Sequence, residues 1–184
     1  FRRLFCPASV YERRHEISQF WMNEFEGIVR YGPFKGFYLG QTQGWSSGDL
    51  APKLFGLYEQ ELIKELVRVT NRRNVLIDLG AADGYYAIGA LVGSLFDECI
   101  AFEISPLSRQ AMQRLASLNS VDQKITINGE ANRDSLNAIE ESVLNRSVMI
   151  VDVEGAEFDI LDRELISKLS QTIILIELHD WMIP

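Results

Sequence analysis

The sequence predicts an α/β fold: a Rossmann-like, doubly wound, mostly parallel sheet. Three observations predict it. Residues 75–84, VLIDLGAADG, run from an apolar strand into a turn of small residues. The segment after it, YYAIGALVGSL, can form a helix. Short apolar runs then alternate with helical stretches as far as residue 178, giving five strands and four helices. Such alternation implies parallel strands joined by right-handed crossovers.

The elements follow in order. Residues 11–30 carry a helical stripe, with Ile17, Phe20, Trp21, Phe25 and Ile28 recurring three or four apart. Residues 31–53 contain Gly32, Pro33, Gly36, Gly40, Gly44, Gly48 and Pro52, too many turn formers for a long helix. FKGFYLG reads there as a short extended piece. Helical spacing returns over 54–69, with Leu57, Leu62, Leu66 and Val69 as inward positions, and Asn71 to Asn74 form a polar break. Strand 75–79 leads into a helix over 84–95. Strand 99–103 is followed by Ser105-Pro106, a good helix start because proline is favoured in the first turn. Leu107, Ala111, Leu115 and Leu118 lie on one face of that helix. Strand 124–128 precedes a helix over 133–144, strand 148–152 one over 156–166, and 172–178 forms the fifth strand. Residues 1–73 are thus an N-terminal helical and glycine-rich extension or lid, and residues 74–184 a Rossmann-like domain.

Composition bounds the partners. A chain of 184 residues, 47% hydrophobic and 24% charged, is ordinary for one globular domain. The net charge of −8 and a pI near 4.8 weigh against nucleic acid and anionic membranes, so no nucleic-acid partner is expected. Cys6 and Cys99 lie in different segments and suggest neither a disulfide framework nor a zinc site. No apolar run approaches the ~18 residues a membrane helix needs, and no signal peptide is visible. No membrane insertion and a cytoplasmic location follow as expectations.

In this sheet type, ligands bind outside the carboxyl ends of the strands. Those ends carry Asp78, Glu103, Asn128 with Glu130, Asp152 with Glu154, and Glu177 with His179. Acids at strand–helix junctions also serve as helix caps. A dinucleotide would need G-x-G-x-x-G, but Gly80 and Gly84 stand with three residues between them. Asp78 and Asp83 would also repel a pyrophosphate. S-adenosylmethionine (SAM) carries no phosphate. Its ammonium, sulfonium, ribose diol and adenine suit an acid-rich pocket.

DLGAADGYYAIGA resembles motif I of the class I SAM-dependent methyltransferases. VDVEGAEFDIL at 151–161, with IELH at 176–179, resembles the FkbM methyltransferase family. The resemblance covers roughly residues 74–180. It implies SAM as cofactor, with Asp78, Gly80 and the turn of Ala81, Ala82, Asp83 and Gly84 holding the methionine end. Glu103 would chelate the ribose hydroxyls, Glu130 would contact the adenine amino group, and Asp152 would lie near the transferable methyl. Class I members usually have seven strands, so the resemblance also implies that the C-terminal strands are absent here. An uncovered fifth strand makes a homodimer an expectation.

The implied reaction is in-line methyl transfer, most simply O-methylation of a hydroxyl on a sugar, lipid or polyketide-type small molecule. His179 is the candidate base, with Asp152 and Glu154 the other candidate catalytic groups. The alternatives are an N-methyltransferase and a non-catalytic SAM or nucleoside-binding module. No metal is assigned, although Asp152, Glu154, Glu177, His179 and Asp180 leave open a divalent ion that acidifies the hydroxyl. Phe34, Phe37, Tyr38 and Trp45 form either a lid over the acceptor or a folded hairpin against the sheet.

Overall fold

A computed structural model describes residues 9–40 and 48–179; Cys6, Trp45 and Asp180 lie outside the described residues. Five parallel strands form one sheet: β1 (Val75–Leu79), β2 (Glu98–Phe102), β3 (Ile125–Asn128), β4 (Ser147–Val151) and β5 (Ile173–Ile176). Their order is β3-β2-β1-β4-β5. The chain reverses direction of travel across the sheet between β3 and β4, so the switch point lies at the carboxyl ends of β1 and β4. The sequence expectation of a doubly wound parallel sheet holds, with strand limits differing by one or two residues.

Strand alternation sorts the core into two layers. Leu76, Cys99, Ala101, Val148 and Ile150 face one way. They pack against α3 (Gln60–Val69), α4 (Tyr85–Val92) and α5 (Pro106–Leu118) through Leu66, Ile88 and Met112. Val75, Ile77, Leu79, Met149 and Val151 face the other way. Leu136, Leu144, Ile160 and Leu165 cover them, from the short helices α6 (Arg133–Asn137), α7 (Glu141–Leu144), α8 (Glu157–Ile160) and α9 (Arg163–Lys168). All five residues of β1 are buried, as a central parallel strand requires.

The N-terminal residues join the first layer. Val29, Phe34, Phe37 and Leu54 are fully or almost fully buried in the same apolar cluster as the sheet. Phe34 packs edge-on to Tyr85 at 5.3 Å between ring centroids, and a Cβ at Gly89 would stand 2.6 Å from its ring. These aromatics form core and not a lid. Ile28 and Tyr38 pair in an isolated antiparallel bridge, the extended piece expected from FKGFYLG.

Several helices depart from the sequence expectation, each for a local reason. The first, α1 (Val10–Glu24), ends before residue 30. It leaves Ile17 and Phe20 exposed and buries Ser18, whose hydroxyl accepts from the Ala51 N–H and donates to the Gly48 carbonyl. The expected helix over 54–69 is instead α2 (Leu50–Leu54) and α3, interrupted by Glu59 in the left-handed region and with Leu57 exposed. On α5 the buried positions are Met112, Leu115 and Ala116, while Leu107 and Leu118 face solvent. The helix over 133–144 breaks because Lys168 Nζ donates to the carbonyls of Asn137 and Ile139 at 2.7 and 3.1 Å. The helix over 156–166 breaks at Asp162, which caps α9 through the Leu165 N–H. No helix among the described residues is long and apolar enough to cross a membrane.

Candidate functional site

The turn after β1 is fixed by close packing. Gly80 has φ +86, and a Cβ there would lie 1.7 Å from the Asp152 carbonyl oxygen, so glycine alone lets the ends of β1 and β4 pass. Ala82 adopts φ 47, unusual for a side-chain-bearing residue. Its N–H is captured by Glu103 Oε2 at 2.9 Å. The N–H groups of Gly80 and Ala81 both donate to the Phe102 carbonyl, and that of Gly84 to the Ala81 carbonyl. Tyr85 N–H points to Asp83 Oδ1 at 3.3 Å. A turn that cradles a pyrophosphate aims its amides at the ligand. These amides are instead satisfied within the protein.

A cavity of about 590 Å³ opens beside this turn, within the range of small-molecule sites, roughly 300–1,000 Å³. Of the sequence candidates it is lined by Gly80, Ala82, Asp83, Glu103, Glu130, Asp152 and Glu154. Phe102, Ile104 and Ala131 add apolar wall. Glu103 is buried, and its Oε1 also accepts from the Ser105 N–H at 2.7 Å. The helix-cap and ligand readings of this residue therefore coexist, because a carboxylate has about four acceptor positions.

Four candidates do not line the cavity: Asp78, Ala81, Gly84 and His179 are buried and absent from its wall. Asp78 shares the strand face of Leu76, so alternation turns it toward α4. Its pKa is raised from 3.8 to about 7 by burial first and then by the charge of Asp152, against one backbone N–H from Ala87. Its Oδ2 has no hydrogen-bond partner. Asp78 thus lies beneath the turn, off the cavity wall.

The second half of the site joins β4 and β5. His179 is 4% exposed. Its Nδ1 lies 2.6 Å from Oε1 of the buried Glu157. Its Nε2 lies 3.8 Å from Asp152 Oδ1 and 3.6 Å from Glu154 Oε2. Glu154 holds its place with φ 51, followed by Gly155 at φ 101. The Gly155 N–H donates to Glu157 Oε1 at 3.1 Å. His179 is raised above its usual 6.5, chiefly by the hydrogen bond to Glu157. Glu157 is pulled upward by burial but falls below 4.5 overall, because the Gly155 N–H and His179 outweigh burial. Asp152 rises to about 6, through burial first and then Glu177 and Glu154, while His179 opposes the rise. One ligand atom each from Asp152, Glu154 and His179 lie within 4.8 Å of one another, a spacing also open to a divalent cation. Glu177 is not part of that group; it lines a neighbouring hollow of about 240 Å³ with Asp152 and Glu59.

Sequence reasoning missed four residues. Glu157 reads as a first-turn acid, and nothing in its spacing announces a contact 22 residues away. Lys53 and Tyr58 enter the cavity from the N-terminal region, and Arg133 from the start of α6. A lone basic residue in APKLFG was the one available signal for Lys53.

No family model matches the chain. No curated protein matches it either. Solved structures share its fold. A Streptococcus pneumoniae protein described as "a putative tRNA (m1A22) methyltransferase" is 19% identical, with TM-score 0.50, over 63% of this chain and 51% of that one. The same protein in complex with S-adenosyl-L-methionine gives 17% identity and TM-score 0.47 over 63% and 53%. A Streptococcus agalactiae protein of the NADB-Rossmann superfamily gives 22% and 0.49 over 61% and 49%. The chain spans about half the length of these structures. The likeness establishes a Rossmann-like fold. It also corrects the expectation of no nucleic-acid partner: a structure of the same fold is described as "a putative tRNA (m1A22) methyltransferase", so a nucleic-acid partner is not excluded.

Proposed function

We propose that this chain is a SAM-dependent methyltransferase of class I, allied to the FkbM family, that methylates a hydroxyl. One observation carries the reading. The turn after β1 spends its amides on protein acceptors, while the cavity beside it is lined by Asp83, Glu103, Glu130, Asp152 and Glu154. That wall repels a pyrophosphate and attracts a phosphate-free cationic nucleoside. The motif resemblances at 78–90 and 151–161 support the same reading.

When bound, SAM supplies an electrophilic methyl group that an acceptor oxygen displaces in line. The protein's part is alignment and proton removal. Glu103, with free acceptor capacity facing the cavity, holds the ribose diol. Glu130 stands at the β3 end, where the adenine amino group would lie. Asp152 and Glu154 face the acceptor side. Glu157 engages Nδ1 of His179 and so turns Nε2 toward Asp152 and Glu154. Nε2 faces Asp152 Oδ1 at 3.8 Å. The acceptor's proton therefore leaves into the chain Asp152, His179, Glu157.

The test is transfer of a labelled methyl group from SAM to a panel of sugars, lipids, polyketides and tRNA. Labelled product from a hydroxyl acceptor supports the proposal. SAM binding with no transfer to any acceptor reassigns the chain to a non-catalytic binding module, and transfer to a ring nitrogen reassigns the acceptor class.

A further inference from the structure

A second space adjoins the larger cavity. The hollow of about 240 Å³ shares Asp152 with it, and the neighbouring residues Tyr58 and Glu59 line one space each. Part of the hollow's wall is apolar, built by Leu62 of α3 and by Leu175 and Ile176 of β5. The charged part is Glu59, Glu61, Asp152 and Glu177, and among the described residues lining the hollow none is basic. Four carboxylates around so small a space repel one another. Glu59 is nonetheless held there. Its backbone lies in the left-handed region at φ 42, and its carboxylate accepts from the Tyr86 hydroxyl. Oδ1 of Asp152 is shielded from solvent and has no hydrogen-bond partner among the described residues. The Asp152 carboxyl is pushed up to about 6 by burial first and then by Glu177 and Glu154, with Glu59 adding to the rise against His179. A cation in the hollow would relieve that crowding.

We propose that this hollow selects an amino alcohol as acceptor: its ammonium lies among Glu59, Glu61 and Glu177, its aliphatic stretch against Leu62, Leu175 and Ile176, and its hydroxyl at Asp152. The inference rests on the methyl-donor reading above and names the charge class of the acceptor. An organic ammonium satisfies both halves of the wall at once. A hydrated metal ion would meet the carboxylates but gain nothing from the aliphatic surface. A neutral alcohol would cover the aliphatic surface but leave the carboxylates facing one another. Asp152 belongs to both spaces, so a hydroxyl held there stands between the donor cavity and the path to His179 and Glu157. The N-terminal region thereby sets acceptor choice, since it supplies Glu59, Glu61 and Leu62.

The test is calorimetric titration of the whole chain with 6-amino-1-hexanol, 1,6-hexanediol, 6-hydroxyhexanoate and ethanolamine, with SAM titrated in parallel. Wild-type protein binds the amino alcohol at least about tenfold more tightly than the diol, in line with charge-assisted contacts, and binds the hydroxy acid more weakly than either. Ethanolamine keeps the charge without the aliphatic stretch and binds at least about tenfold more weakly than 6-amino-1-hexanol. Glu61 and Glu177 are exposed, so the fold tolerates their change. Glu61→Gln combined with Glu177→Gln brings amino alcohol and diol within about threefold and leaves SAM within about twofold. Equal wild-type binding of amino alcohol and diol overturns the proposal, as does binding of none of the four. So does ethanolamine binding as tightly as 6-amino-1-hexanol, or a double variant that keeps the full preference. A chain that binds SAM and shows no amine preference overturns the acceptor class alone. A chain that shows the preference and binds no SAM keeps the amine site and overturns the methyl-donor reading.

Discussion

Glu157 Oε1 lies 2.6 Å from His179 Nδ1, and both residues are buried, with exposures of 1% and 4%. The strand-end histidine is therefore held by a carboxylate on the helix that follows β4. A buried, oriented imidazole of this kind has one nitrogen committed.

The first prediction concerns stability against pH. His179 is raised above 6.5, so its protonation stabilises the fold fully below that pH and is lost as pH climbs through the raised value. Glu157 is lowered below 4.5, so its ionisation stabilises above that pH and is lost as pH falls through the lowered value. Thermal melts of wild type and Glu157→Gln should differ most between pH 4.5 and 6.5, and the gap should narrow on either side. A gap that is constant from acid to alkaline pH contradicts the ion pair.

His179→Gln should lower turnover by about 10²–10⁴-fold, the usual worth of a positioned proton acceptor, with SAM affinity unchanged. Single-turnover rates and calorimetry separate the two. Dialysis against EDTA should leave the wild-type rate intact. A loss that Mg²⁺ restores would assign Asp152, Glu154 and His179 to a cation instead.

Asp78 gives a prediction of opposite sign to the usual carboxylate. Its pKa is raised from 3.8 to about 7, so its charge destabilises the fold, and the penalty grows as pH rises between those values. At about 1.36 kcal/mol per unit the full effect is of order 4 kcal/mol. Asp78→Asn should gain stability over wild type between pH 4 and pH 8 in urea unfolding. An unchanged difference at the two pH values would show that Asp78 carries no buried charge.

Much of this site is legible in the sequence, for a physical reason. β1 and β4 are central strands buried on both faces, and their continuous apolar runs end in Asp78 and Asp152 with little ambiguity. The sheet rule then places Glu103, Asp152 and Glu154 on one cavity. Helix faces are less legible. Ile17 and Phe20 on α1, Leu57 before α3, and Leu107 and Leu118 on α5 look inward by spacing, yet tertiary packing leaves them exposed. The direction of Asp78 is hidden because strand alternation decides it and motif position does not. Lys53, Tyr58 and Glu157 are hidden because their contacts span 22 to 30 residues or more, and no local period records such pairs.

Gly80→Ala should be among the most damaging single substitutions. Its Cβ would meet the Asp152 backbone, which cannot rotate away, and its φ of +86 adds strain. A loss of at least about 2 kcal/mol is expected in chemical unfolding, together with loss of SAM binding. Wild-type stability and affinity in this variant would mean that β1 and β4 separate at the turn.

The most direct measurement is calorimetric titration of the intact chain with SAM and, separately, with NAD. The account predicts micromolar binding of SAM and no heat from NAD, because the cavity is lined with carboxylates and the amides of the β1 turn are already engaged. Binding of NAD without binding of SAM would contradict it.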